Sequence, residues 1–154
     1  MRKRFASTSV SRRGFTLIEL LLVIGIIAIL AAIVIVAINP TKQLGEARDA
    51  QRRSDVNTIL NAVYQYAIDN SGNMPAGITT TAKEICVTDS ADCDAAGVDL
   101  EVLTGSYLVK IPVDPRAGST ATGTDYLINR DATTSRITVS APEAEQESSI
   151  SVTR

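Results

Sequence analysis

The hydrophobic positions of this chain fall into two blocks with different patterns. In residues 20–38, 19 apolar residues follow one another without a charge or a hydroxyl group. A helix of that length spans about 28 Å at about 1.5 Å per residue, close to the ~30 Å of a bilayer's hydrocarbon core. In residues 56–67, apolar residues instead recur at steps of three and four, which is typical of a helix with one buried face. The pattern therefore predicts a membrane-spanning helix followed by an amphipathic one.

Short alternating runs in the last third of the chain predict a sheet. These runs are residues 126–128, 137–140 and 150–153. Alternation in short segments that are separated by polar connections indicates antiparallel strands with one face on the amphipathic helix. Residues 76–99 are rich in Thr, Ala and Asp and are predicted to form a loop. We therefore predict an α+β fold in which a long N-terminal helix, membrane-spanning in its first half, packs on a small antiparallel three-stranded sheet.

Charge is distributed unevenly and predicts the orientation of the membrane helix. Residues 1–14 hold five basic and no acidic residues, whereas the rest of the chain holds ten basic and 17 acidic ones. By the positive-inside rule, the basic leader stays in the cytoplasm and the acidic C-terminal part lies outside. An acidic exterior repels phosphate backbones, so we expect no direct nucleic-acid binding.

Breaks in the pattern predict the domain organisation. Asn39-Pro40 interrupts the apolar helix because proline lacks an N–H donor and clashes with the preceding turn; alternatively, Asn39 caps a helix that restarts at Pro40. Gly72 and Pro75 end the second helix. We predict a leader peptide at 1–14, a transmembrane helix at 15–39, an amphipathic helix at 40–72 and a small extracytoplasmic head at 73–154.

Two interpretations of the polar residues 41–55 stay open. This stretch can be a solvated helix face, or it can contact other copies of the chain. Arg48, Arg52 and Asp55 share one helical stripe, which favours contact with other copies.

The residue types that most catalytic sites need are missing. The chain has no histidine, which excludes His-based triads and most catalytic zinc sites. It also has no phosphate-binding glycine motif. We therefore expect neither an enzyme nor a resident cofactor.

The cysteines leave two possibilities. Cys86 and Cys93 enclose six residues, and on the outer side of a membrane a disulfide between them would staple the predicted loop. The alternatives are two free thiols, or a Cys86 that is buried beside Ile85.

The boundary between leader and apolar helix carries the most specific motif. Gly14-Phe15 follows two arginines, and Glu19 is the one charged residue within an otherwise apolar segment. The stretch from Arg13 through Gly14, Phe15 and Glu19 to Leu21 resembles the class III leader junction of type IV pilins and type II secretion pseudopilins. The resemblance implies that a prepilin peptidase cleaves between Gly14 and Phe15 and that the new Phe15 amine is N-methylated.

The resemblance also implies a role for Glu19 in filament assembly. Its carboxylate would neutralise the new ammonium group of Phe15 on a neighbouring subunit, so that two unpaired charges disappear from an apolar bundle. A contact from Glu19 to Phe15 of its own chain, one helical turn away, stays equally open.

A second resemblance concerns the head. Tyr107, the Pro112-Val113-Asp114-Pro115 segment and Tyr126 resemble the head of major pseudopilins, where a Pro-x-Asp-Pro turn leads into a three-stranded sheet. Residues 116–118 depart from the family pattern, which weakens assignment to the secretion branch and puts its calcium site in doubt. The candidate oxygen ligands would be Asp114, Asp125 and Asp131. Their spacing does not resemble an EF-hand loop, so we expect no metal.

Together with the apolar helix, the resemblance to type IV pilins implies a structural subunit of a type IV pilus. Its expected partners are further copies in a helical filament, a prepilin peptidase, a pilus assembly ATPase and an inner-membrane platform. Before assembly it would be a single-pass membrane protein, and afterwards part of a cell-surface filament. The alternatives are the major pseudopilin of a type II secretion system, a subunit of a DNA-uptake pilus and, from a different class, a single-pass membrane-anchored binding module.

Overall fold

The computed structural model describes residues 14–87, 97–118 and 122–154 of the chain. Contacts between residues divide the chain into two compact units, Met1–Pro40 and Thr41–Arg154. The elements in the described residues are α1 (Leu17–Ile38), α2 (Pro40–Asp69), a 3₁₀ turn (Glu101–Leu103), β1 (Lys83–Cys86), β2 (Gly123–Arg130), β3 (Ile137–Ala141) and β4 (Ile150–Thr153).

Helix α1 has 22 residues, and none of them is buried. At about 1.5 Å per residue it is about 33 Å long. It ends where Asn39 adopts a left-handed conformation with φ 48° and ψ 73°, which asparagine tolerates better than most residues. Helix α2 then begins at Pro40, whose missing N–H costs nothing at a first helical position. The apolar helix is thus interrupted at Asn39, the C-cap residue of α1, and a second helix starts at Pro40.

The sheet has four strands in the order β1-β2-β3-β4, and all neighbours are antiparallel. The three predicted strands are confirmed, and together with the helices they confirm the α+β class. The predicted strand count is wrong, because residues 83–86 form an edge strand inside the segment assigned to a loop. This strand pairs with β2 through an irregular register between Glu84 and Cys86, so its side chains show no regular alternation that the sequence could have revealed.

The core of the second unit lies between the sheet and the C-terminal half of α2. Val56, Ile59, Leu60 and Val63 on α2 have no exposed surface. They belong to one apolar cluster with Tyr126, Ile128, Ile137 and Val139 of the sheet. Burial of a side chain of this size contributes about 1.5–3 kcal/mol, so this face secures α2 to the sheet. The apolar positions that recur at steps of three and four in residues 56–67 are thus on the buried face of α2, which ends at Asp69.

The buried stripe of α2 continues toward the N-terminus, but its chemistry changes. The buried residues before Val56 are Gly45, Asp49, Arg52 and Asp55. Arg52 has no exposed surface, and Asp55 is only 7% exposed. The prediction that Arg52 and Asp55 contact other copies is wrong, because both are enclosed within the unit that contains the sheet.

Arg52 is surrounded by three carboxylates from three parts of the chain. Its Nε and Nη2 atoms donate to Asp114 at 2.6 and 2.9 Å. Nη1 donates to Asp49 at 2.8 Å and to Glu145 at 3.2 Å. The bonds to Asp114 raise the pKa of Arg52 even though burial opposes its charge. One guanidinium therefore joins α2 to the Pro112–Pro115 turn and to the β3–β4 connection.

Asp55 completes the buried polar stripe. Its carboxylate accepts a hydrogen bond of 2.7 Å from Gln51 and one of 2.9 Å from the Tyr126 hydroxyl. Burial, followed by the bond to Asp55, raises the pKa of Tyr126. Every buried side-chain donor and acceptor in the described residues has a partner, so the polar half of the stripe is fully satisfied.

Arg52→Met should lower the free energy of unfolding by about 3–5 kcal/mol, because it leaves buried carboxylates without their counter-charge. Urea denaturation of the full chain in detergent micelles, followed by tyrosine fluorescence, measures this. Lys42→Met is the matched control, since the Lys42–Glu46 pair is well exposed and its loss should cost about 0.5 kcal/mol or less. Equal stability of the two variants would contradict a structural role for Arg52.

Candidate functional site

The first turn of α1 is built around Thr16 and Glu19. Thr16 is the N-cap residue, with φ −81° and ψ 153°. Its backbone N–H and its hydroxyl both donate to Oε2 of Glu19, each at 2.8 Å. In return, the Glu19 N–H donates to Oγ1 of Thr16 at 3.3 Å. This reciprocal arrangement is a capping box, which satisfies N–H groups that the helix itself cannot pair.

The capping box leaves part of the Glu19 carboxylate available. Both bonds from Thr16 end on Oε2, and no donor among the described residues is bonded to Oε1. The side chain is exposed and stands in the first turn, where the helix dipole favours a negative charge. Glu19 can therefore accept a further strong donor, such as an ammonium group, without giving up its position in the cap.

The predicted cleavage point lies just before this cap. Gly14 and Phe15 precede the helix in non-helical chain, and Phe15 is 83% exposed. A Cβ atom placed on Gly14 would meet no atom within 4 Å. Residues 1–13 lie outside the described part of the chain. The bond between Gly14 and Phe15 thus stands in open, non-helical backbone, and its cleavage and the methylation of Phe15 stay predictions.

The rest of α1 offers a continuous apolar surface. Among the described residues, α1 is the one helix whose length and composition would let it cross a membrane. Its large side chains are each at least 47% exposed. An apolar surface of this size is unfavourable in water, so it needs lipid or other apolar helices around it.

The predicted ligand residues Asp114, Asp125 and Asp131 lie in the second unit, where each has its own contacts. Asp114 binds Arg52. Asp131 accepts the backbone N–H groups of Thr133 and Thr134, and the bonds from Thr134 lower the pKa of Asp131. No group of three or more His, Cys, Asp or Glu in the described ranges is placed to hold a metal ion.

Asp125 lies beside another carboxylate. It has a left-handed φ of 60°, and its N–H donates to Glu84 at 2.9 Å. Burial, followed by the charge of Glu84, raises the pKa of Asp125.

Cys86 is buried and disulfide-bonded. Cys93 lies outside the described residues, so the Cys86–Cys93 pairing stays a prediction.

Thr16 is the functional residue that the sequence analysis missed. The signal is present in the sequence, since Thr16 and Glu19 have the Ser/Thr-x-x-Glu spacing of a capping box directly before an apolar run. A charged residue in an apolar segment is a conspicuous sequence feature, whereas a threonine is not. The sequence analysis therefore identifies Glu19 but not Thr16, whose hydroxyl group is bonded to it.

Thr16→Val should make the Glu19 amide exchange with solvent faster, because the hydroxyl acceptor is lost and an N-cap contributes about 0.5–2 kcal/mol. Amide exchange measured by NMR on the full chain in micelles tests this. Thr41→Val, an exposed threonine in the first turn of α2, is the control and should leave the Glu19 amide unchanged. Identical exchange at Glu19 in wild type and Thr16→Val would show that the cap is not formed.

One of three comparisons with known proteins gave a match. The comparison with curated proteins gave no match, and the comparison with solved structures gave none either. The comparison with protein families gave a match that spans the end of the leader, the cap and most of α1. Residues 10–35 carry the prokaryotic N-terminal methylation motif, the class III leader of type IV pilins and pseudopilins.

Proposed function

We propose that this chain is a structural subunit of a type IV pilus, processed at its leader and polymerised through α1. The observation that carries the proposal is the combination of the methylation motif with an uncovered apolar helix that has a carboxylate in its first turn. The motif and the apolar helix also fit membrane anchoring before assembly. This function is structural and needs no catalytic group.

Cleavage after Gly14 would create a new ammonium group at Phe15. Glu19 would then be the fifth residue of the mature chain, about one helical turn beyond the new terminus. The new positive charge and the one carboxylate of the apolar segment would therefore stand at the same end of α1.

The new ammonium group needs a counter-charge. In a low-dielectric bundle an unpaired ammonium or carboxylate costs several kcal/mol, whereas a hydrogen-bonded pair removes most of that cost. Glu19 supports this pairing because Oε1 has no donor among the described residues while Oε2 holds the cap. We infer that the carboxylate of one subunit binds the Phe15 ammonium group of the next and thereby sets the stagger between neighbouring helices.

The same helix serves both states of the subunit. In the membrane, lipid covers its apolar side chains; in the filament, the α1 helices of other copies replace the lipid. The subunit can therefore leave the bilayer without exposing α1 to water. Its partners in this proposal are a prepilin peptidase, an assembly ATPase, an inner-membrane platform and further copies of itself.

The second candidate is the major pseudopilin of a type II secretion system. The Pro112–Pro115 turn favours it, whereas the departure at residues 116–118 favours a pilus. A DNA-uptake pilus would use the same assembly chemistry. A membrane-anchored binding module differs from all three, because it would keep residues 1–14.

Glu19→Ala should leave processing and membrane insertion intact but reduce filaments at least about tenfold, because the Phe15 ammonium group loses its counter-charge. Electron microscopy of sheared surface material, with the mature N-terminus sequenced from the same cells, measures both. Glu46→Ala is the control, since it removes an equal charge from an exposed site. Normal filaments in Glu19→Ala would eliminate the proposed role.

Gly14→Val should block cleavage, because a branched side chain replaces the small residue at the junction. The expected product is a membrane-retained chain that still carries residues 1–14, detected by gel mobility and N-terminal sequencing. Gly118→Val, at an exposed position with open space around it, should be processed normally. A wild-type chain that keeps Met1 in the assembled or exported material would instead support the anchored binding module.

A further inference from the structure

The connection between β3 and β4 lies across the N-terminal half of α2. We call residues 142–148 the acidic strap, because Glu143, Glu145 and Glu147 alternate along it. All of its residues are described, and Ala144 is the one that packs against the apolar core. Its attachment to α2 must therefore come mainly from polar contacts.

Glu145 makes the strongest of these contacts. Arg48 donates to it twice, from Nε to Oε1 at 2.5 Å and from Nη2 to Oε2 at 2.6 Å. Arg52 adds a third bond at 3.2 Å. A two-pronged guanidinium–carboxylate pair is among the strongest polar contacts in proteins. The next acidic residue of the strap, Glu147, pairs with Arg53.

Asp49 holds the backbone of the strap. Its carboxylate accepts the N–H of Glu145 at 3.0 and 3.1 Å and the N–H of Gln146 at 2.8 Å. Gly45, one turn earlier, is buried where the strap passes. A Cβ atom there would lie 2.8 Å from Nε2 of Gln146 and 3.4 Å from Oε2 of Glu145, so the strap runs close to the helix backbone.

The two halves of α2 are thus held by different forces. From Val56 onward, apolar side chains bury the helix in the core. Before Arg52, the buried residues are Gly45 and Asp49, and both face the strap. The Arg52–Asp114 pair, fully enclosed, marks the boundary between the two halves. Residues 42–50 therefore depend on the strap in a way that residues 56–67 do not.

We propose that the acidic strap is an ionic latch that opens separately from the apolar core and, when open, lets residues 42–50 of α2 unwind. Opening breaks the contacts of Glu145, Gln146 and Glu147 with α2 and leaves the Arg52–Asp114 pair closed. Within the continuous helix α2, residues 42–50 then unfold at a lower free-energy cost than residues 56–67. Such a difference is expected where one segment unfolds locally. This proposal does not depend on filament assembly.

Mild acid is a poor probe of the latch, because folding lowers the pKa values of two of its carboxylates. The bonds from Arg48 lower the pKa of Glu145 to about 2. Burial opposes the charge of Asp49, but the N–H groups of Glu145 and Gln146 outweigh it and the pKa of Asp49 is lowered. A carboxylate whose pKa is lowered by folding stabilises the fold above its ordinary pKa and loses that effect only as the pH falls through the lowered value. Glu145 and Asp49 therefore keep their charges into the acid range.

Hydrogen exchange of the full chain in nonionic detergent micelles, read by mass spectrometry at neutral pH, tests the latch. Glu145→Gln should speed exchange in peptides from residues 42–50 and 142–149 about tenfold, because charge-assisted hydrogen bonds are lost. Raising NaCl from about 0.05 to about 1 M should act in the same direction but more weakly, since Arg48 and Glu145 are only partly exposed and salt screens partly buried pairs less than exposed ones. Peptides from residues 56–67 should change less than about twofold.

Glu46→Gln is the matched control, because it makes the same chemical change in the same helix segment at an exposed pair with Lys42. It should leave the exchange rates of the peptides from residues 42–50, 142–149 and 56–67 unchanged. The proposal is overturned if Glu145→Gln has no effect, if Glu46→Gln has the same effect, or if residues 56–67 respond as strongly as the strap. That last outcome would mean that strap and core open as one unit.

Discussion

The apolar surface of α1 constrains the environments in which this chain is stable. Each of its 22 residues stays unburied within the protein, and its large side chains are Leu, Ile and Val. At roughly 25 cal/mol per Å² of apolar surface, water is a poor environment for such a helix. An apolar environment such as lipid or neighbouring apolar helices satisfies it. The position of Glu19 follows from the same constraint, because a carboxylate is tolerable at the end of such a helix, where Thr16 and the helix dipole stabilise it.

In the second unit, two kinds of interaction attach the long helix α2 to the rest of the unit. Apolar packing is available only from Val56 onward, where the sheet faces α2. Further toward the N-terminus, α2 meets the Pro112–Pro115 turn and the acidic strap, and both offer carboxylates. Arg48 and Arg52 match these carboxylates, so the buried stripe continues in charged form. Charge pairing thus extends a contact surface that the apolar core is too small to cover.

Much of the candidate site could be predicted from the sequence because its parts are neighbours in the chain. Gly14, Phe15, Thr16 and Glu19 lie close together at one helix end, and local rules on leaders, caps and apolar runs apply to them directly. The family match at residues 10–35 covers the same stretch. The polar contacts of the head could not be predicted in this way, since they join residues far apart in the chain.

The sequence by itself determined the apolar helix, the break at Asn39-Pro40, the amphipathic face after Val56 and three of the four strands, because periodicity and turn residues are local properties. Tertiary structure decided the rest. Strand β1 exists because β2 offers it an edge, although its own residues do not alternate regularly. The stripe of Arg48, Arg52 and Asp55 is polar, yet most of it is buried in the fold. It is buried because Asp114 and Glu145, which are distant in sequence, form ion pairs with its two arginines. The sequence shows which charged side chains of a helix need a partner. The tertiary structure shows which residues are those partners.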